Sequence, residues 1–255
     1  MRFVVVRRRA IIIAVIAAVV CALAMTGVYY TGAAAIYNNV SPKKVPIYSV
    51  ETDEKAVALT FDAAWGADKT LGLLETIEQK DAKATFFLVS FWAEKYEAEL
   101  KTLAASDRIE IGTHSATHPY MSKLSRTQID LELSTSKSLI ESISGRKIEL
   151  FRPPYGDYSD TLLTAATEQG LYSIQWDVDS LDWKGLSKEQ ITSRVVGGCK
   201  NGSIVLMHND GKHTLEALPS IIDGLRAKGF TFKTVGELIY KDNYIIDHTG
   251  RQIRS

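Results

Sequence analysis

The sequence predicts an α/β protein, a (β/α) barrel of about seven parallel strands preceded by one N-terminal transmembrane helix. Three observations predict it. From residue 50 onward, short β-rich runs alternate with longer helical ones, the pattern of strands joined by helical crossovers. Seven strand candidates fall within fewer than 200 residues, which suits a barrel better than an open sheet, although sequence alone does not close it. An uncharged stretch of 21 residues, Ala10 to Tyr30, follows Arg2, Arg7, Arg8 and Arg9 and precedes the next charge at Lys43.

The N-terminus sets the expected compartment. About 20 apolar residues span the hydrocarbon core of a bilayer, and flanking arginines stay on the cytoplasmic side. Residues 1–9 therefore read as a cytoplasmic basic segment and 10–32 as an anchor. Residues 33–50, with two prolines, read as a linker. The expectation is a single-pass protein of the cell membrane with its globular part extracytoplasmic. A cleaved signal peptide is the competing reading, since Gly32-Ala33-Ala34-Ala35 offers small residues near the end of the run. Val20 is too bulky for a lipidation site at Cys21. Cys21 and Cys199 are the only cysteines, so no disulfide staples the domain.

The strand candidates are 57–61, 85–89, 109–113, 150–151, 172–176, 203–207 and 231–232. Helices are expected over 69–80, 92–105, 125–144 and 187–196, with Ser125 and Gln128 forming a capping box. The domain is expected to run from 51 to 240, with 241–255 as a tail. The chain has 30 basic and 30 acidic residues, and four of the bases lie before residue 40. The remainder is mildly acidic, which argues against nucleic acid as a partner. A monomer is expected.

Titratable residues collect at the carboxyl ends of successive strand candidates, where α/β barrels place their active sites. Asp62 follows the first, His114 the third, Arg152 the fourth, Asp177 and Asp179 the fifth, and His208 the sixth. His114 and His118, four apart, would face the same way on one helical turn and bind one divalent ion. By itself this spacing also fits two ordinary polar histidines. A tetrahedral catalytic site needs a third protein ligand and an open position for water. An acid that ends an apolar strand needs a partner. Arg152, in Phe151-Arg152-Pro153-Pro154-Tyr155, would keep Asp62 ionised as a general base requires, or else form a structural salt bridge. Asp177, Asp179 and Asp182 stand among Trp176 and Trp183, whose indole faces suit a sugar. A packed acidic surface loop is the plainer alternative. His208, beside a carboxylate, is a candidate general acid.

These residues make the chain resemble carbohydrate esterase family four, the NodB-homology polysaccharide deacetylases. The resemblance runs from about Thr52 to Tyr240. It rests on Thr60-Phe61-Asp62, His114-Ser115-Ala116-Thr117-His118, Arg152-Pro153-Pro154-Tyr155, Asp179-Ser180-Leu181-Asp182-Trp183 and Leu206-Met207-His208 in order. Trp65-Gly66, the short length and the anchor look most like the sporulation-associated PdaB-type subgroup. The resemblance implies a distorted barrel and a hydrolase that removes N-acetyl groups from an amino-sugar polymer, peptidoglycan or spore cortex. A degenerate sugar-binding module and an O-acetyl esterase are the alternatives. It further implies Asp62 as base, Arg152 as its orienter, and His208 as acid steadied by a fourth-motif carboxylate, Asp179. Tyr155 would give a backbone oxyanion donor, while Trp183 and Leu206 shape the acetyl pocket. His114 and His118 would bind one divalent metal, zinc, with cobalt or nickel as alternatives. The family's usual second aspartate, a metal ligand, is Ala63 here, and Asp68 is the candidate replacement.

Overall fold

The computed structural model describes Arg8, Ile13, residues 15–27 and residues 43–255. The chain divides into two compact units, Met1–Lys43 and Lys44–Ser255. In the first, residues 15–27 are helical with exposed side chains. No helix among the described residues is long and apolar enough to cross a membrane. The span expected over 10–32 lies partly outside the described residues.

The second unit is built on parallel strands: β2 (Ala56–Ala63), β3 (Ala84–Leu88), β4 (Ile109–Thr113), β5 (Leu150–Phe151), β6 (Tyr172–Ser173), β7 (Val178–Asp179) and β8 (Ile204–His208). Their order is β6-β5-β4-β3-β2-β8-β7, and β9 (Thr231–Phe232) pairs with the start of β2. All eight residues of β2 are buried, as expected of a central parallel strand covered on both faces. Its pleat sorts them. Val57, Leu59, Phe61 and Ala63 join the cluster packed by the crossover helices. Ala56 and Ala58 face Ile47, Phe87, Leu150 and Ile204 instead.

The sheet curls but does not close into the expected barrel. Among the described residues β6 and β7 do not pair with each other, because only four residues separate them in the chain. The segment before β2 lies across that gap: Ile47 bridges Ile174, and Ser49 bridges Ser203. Residues read as linker and tail share a small second sheet, in which β1 (Ser49–Val50) runs parallel to β11 (Arg251–Arg254) and β10 (Tyr244–Ile246) antiparallel to it. Buried Gln252 ties this sheet down by accepting from the Tyr240 N–H and donating to the Tyr240 carbonyl, each at 2.8 Å.

The helices sit on the outside of the curl. Arg126–Ser144 opens on the expected capping box, with the Ser125 hydroxyl bonded to Gln128 N–H and the Gln128 side chain to Ser125 N–H. The helix expected over 92–105 is two helices, Ser90–Lys95 and Glu97–Ala105, broken at Tyr96 where φ is −120° and ψ 48°. Gly112 on β4 is required by a close approach: a Cβ there would stand 2.7 Å from the Phe87 ring. That ring in turn supports Arg152, described below.

Candidate active site

The strand register assembles the site. Asp62 on β2 pairs with His208 on β8 and with Phe87 on β3. His114 and Arg152 each follow directly on β4 and β5. Their side chains meet over the carboxyl edge of the sheet in a cavity of about 690 Å³ that Asp62, His114, His118 and His208 help to line. Tyr155, Trp176, Trp183 and Leu206 supply its apolar walls.

Asp62 is 6% exposed. Its Oδ1 accepts from Arg152 Nη1 at 2.7 Å, and its Oδ2 lies 3.5 Å from His114 Nε2. Burial alone would push this carboxyl up. The Arg152 charge, helped by His114 and His208, outweighs that and holds it below the usual carboxylate range. Arg152 is wholly buried. It donates from Nη2 to the Gln175 carbonyl at 3.2 Å and stacks on Phe87, 4.2 Å from the ring centroid. A guanidinium gripped this way cannot swing off its aspartate.

His208 carries the opposite bias. Its Nδ1 donates to Asp182 Oδ1 at 2.8 Å, which leaves Nε2 as the nitrogen for the cavity. Burial would lower its pKa, but the Asp182 hydrogen bond and charge, with Asp62 and Asp210 behind them, raise it. Asp182 is 1% exposed and also accepts from His208 N–H and the Thr214 hydroxyl, each at 2.7 Å. The chain at Gly211 presses so close that a Cβ there would sit 2.8 Å from Asp182 Oδ2.

The acid that holds His208 is thus Asp182, not Asp179. Asp179 lines the cavity but spends Oδ1 on Leu181 N–H at 2.8 Å. Leu181 has φ 55°, and this left-handed turn swings the chain so that the second acid of the motif, not the first, reaches β8. Asp177 is structural, accepting from Ile204 N–H and the Ser203 hydroxyl below the cavity.

The His114–His118 segment is a loop, not the expected helical turn. Glu132, on helix Arg126–Ser144, accepts from the N–H groups of Ala116 and Thr117 at 2.9 Å each and from the Thr117 hydroxyl. Ser115 and His118 both take positive φ, 74° and 58°, to wrap this carboxylate. Such strain persists only where surroundings enforce it. Glu132 was missed by sequence reasoning, since an acid in a helix interior carries no local signal.

The histidines still meet. Their ring centroids are 4.9 Å apart. His114 Nδ1 lies 2.7 Å from the Arg152 carbonyl and donates to it, which leaves the Nε2 lone pair free. His118 Nδ1 is buried without a hydrogen-bond partner. Burial lowers both imidazoles, His118 to about 4, so both are neutral donors at pH 7. Two neutral nitrogens of this kind fit a divalent ion. Among the described residues, however, no three His, Cys, Asp or Glu side chains form a ready ligand set. Ala63 is fully buried and offers no donor. Asp68 is exposed, does not line the cavity, and makes no cap bond to the helix Thr70–Gln79.

The fold and this site define a cavity lined by buried titratable residues on the carboxyl edge of a curled parallel sheet. The chain belongs to the polysaccharide deacetylase family, whose pattern matches residues 49–174. A peptidoglycan-N-acetylglucosamine deacetylase of Bacillus cereus is 34% identical over 192 residues, covering 74% of this chain and 70% of its own. The peptidoglycan-N-acetylmuramic acid deacetylase PdaC of Bacillus subtilis is 30% identical over 190 residues, covering 74% of this chain and 40% of its own. Among solved structures, a family 4 carbohydrate esterase pseudoenzyme from Bacillus anthracis is 34% identical with a TM-score of 0.74, covering 79% of this chain and 70% of that one. A mutant of that pseudoenzyme with restored enzymatic activity superposes with the same TM-score, 0.74.

Proposed function

We propose that the chain removes N-acetyl groups from the amino sugars of peptidoglycan by dividing acid and base work between Asp62 and His208. The observation that carries this reading is their register pairing on neighbouring strands, one held anionic by Arg152 and the other biased toward its cation by Asp182. Asp62 accepts the proton of the attacking water. His208 delivers a proton from Nε2 to the departing amine nitrogen, so acetate and a free amino sugar leave. The Tyr155 N–H is the backbone donor for the oxyanion, and Trp183 and Leu206 flank the acetyl methyl. The relatives' substrates support peptidoglycan. The Trp65-Gly66 motif supports its spore-cortex form.

His114 and His118 would hold a divalent ion, zinc or else cobalt or nickel, which when bound polarises the acetyl carbonyl and acidifies water. Two neutral ligands without an added carboxylate hold it loosely. Zinc uptake should be lost in His114→Ala and unchanged in Asp68→Ala, measured by elemental analysis after equilibrium dialysis. Metal loss in Asp68→Ala would restore Asp68 as a ligand.

Ala63 and the likeness to the B. anthracis pseudoenzyme favour a second reading, a non-catalytic polysaccharide-binding module. Acetate release from purified peptidoglycan decides between them. Protein that is metal-loaded and sediments with peptidoglycan, yet frees no acetate, is the module.

The arginines ahead of the uncharged run support a membrane anchor with the domain outside. Protease added to intact protoplasts should then digest the domain. Survival of the domain until the cells are lysed would reverse the orientation, and a soluble trimmed form as the main species would indicate a cleaved signal.

A further inference from the structure

Four large aromatic side chains near the site stay more than half exposed: Trp65 at 57%, Tyr120 at 54%, Tyr155 at 55% and Trp183 at 58%. Three of them belong to one continuous row. Trp65 meets the His118 ring at 5.0 Å, His118 meets Tyr155 at 4.6 Å, and Tyr155 stacks on Tyr120 at 4.2 Å with the planes 15° apart. Trp65 and Tyr155 line the cavity and Tyr120 does not, so the row leads out of the cavity onto open surface.

Partly buried hydrogen bonds fix both ends of this row. Beside Trp65, the Gly66 carbonyl accepts from Trp92 Nε1 at 2.6 Å and from Asn209 Nδ2 at 2.9 Å. Both donor residues are wholly buried. At the other end, Asp157 accepts from Ser122 N–H and the Ser122 hydroxyl, each at 2.8 Å, which fastens the loop of Tyr120 to that of Tyr155. Tyr155 itself is held at φ 59°. Exposed aromatic surface is unfavourable in water, and rings held rigid lose little entropy when a ligand covers them.

We propose that the Tyr120–Tyr155 stack is a second sugar subsite, taking the apolar face of a pyranose ring neighbouring the one whose acetyl group lies in the cavity. The site therefore selects polymer over short fragments. This rests on the deacetylase reading of the cavity. The occupant follows from continuity: a glycan chain whose one sugar reaches Asp62 and His208 must continue across the rim, and this row is the rigid apolar surface there.

The test uses the Asp62→Asn full chain, so that binding is read without turnover, and calorimetric titration with peptide-free peptidoglycan glycan of two and of six sugars. Tyr120→Ala in that background should weaken the hexasaccharide roughly tenfold, the scale of losing one aromatic anchor, while the disaccharide changes less than twofold. Tyr120→Phe, which keeps the ring, should bind both as the parent does. Equal affinity of parent and Tyr120→Ala for the hexasaccharide overturns the subsite and leaves the deacetylase reading standing. Equal losses on both lengths also overturn it, since they mark a damaged cavity. A parent that binds neither glycan overturns the reading and the subsite together.

Discussion

Asp62→Asn should cut acetate release by roughly 10²–10⁴, the range for removing a positioned general base, while the protein stays folded. The exchange keeps shape and volume. The new carboxamide oxygen still accepts from Arg152 Nη1, now 2.7 Å from Oδ1, so the buried guanidinium keeps a partner. What disappears is the ability to take a proton. It also leaves the Arg152 charge uncompensated in a buried place, which costs stability. Melting temperature must therefore be measured beside turnover. Loss of rate in a cooperatively folded variant identifies the base; turnover near that of the parent would remove Asp62 from the chemistry. Asp62 also links stability to pH. Its folded pKa is depressed, so its contribution is present above the ordinary carboxylate value and fades as pH falls through the folded one.

Much of this was legible in the sequence because parallel sheets write their strands plainly. β4, β5 and β9 fall on the expected residues, since short β-rich runs there are bounded by turn signals and helices. The positions of Asp62, His114, Arg152 and His208 followed, because a residue at the carboxyl end of a strand or directly after it emerges at the same edge as its neighbours. What failed depended on contacts distant in sequence. β7, Val178–Asp179, is a strand only through its pairing with β8, which lies far on in the chain. β10 and β11 are short and largely polar outside Ile245, Ile246 and Ile253, and they become strands only by pairing with each other and, for β11, with Ser49–Val50. The histidine loop looked like a helical turn at its spacing of four. The carboxylate of Glu132 overrides that by gathering the Ala116 and Thr117 N–H groups, with Ser115 and His118 turned to positive φ around it. Asp182 was passed over for Asp179 because a left-handed Leu181 cannot be read from a leucine.

His208→Ala should slow amide substrates by roughly 10²–10⁴ and activated esters far less. An amine does not leave without a proton, whereas an activated alkoxide needs little help. The structure lets the same idea be tested without touching the imidazole. Asp182 holds Nδ1 at 2.8 Å and is the main reason the pKa of His208 stands above its ordinary value of about 6.5. The acid form of His208 is therefore expected to persist to higher pH than that of a free imidazole, and kcat/KM on amides should fall as pH rises through the raised value. Asp182→Asn removes the charge, so this alkaline limb should shift to lower pH while the acidic limb, set by Asp62, moves little. The stability sign agrees. A raised folded pKa stabilises fully below the unfolded value and loses that contribution as pH rises through the folded one, so Asp182→Asn should cost more stability at pH 5 than at pH 9. Activated esters should show no alkaline limb from this group in either protein. An unmoved limb on amides in Asp182→Asn, or equal losses on amides and esters in His208→Ala, would make His208 a binding residue and leave the leaving-group proton to another donor.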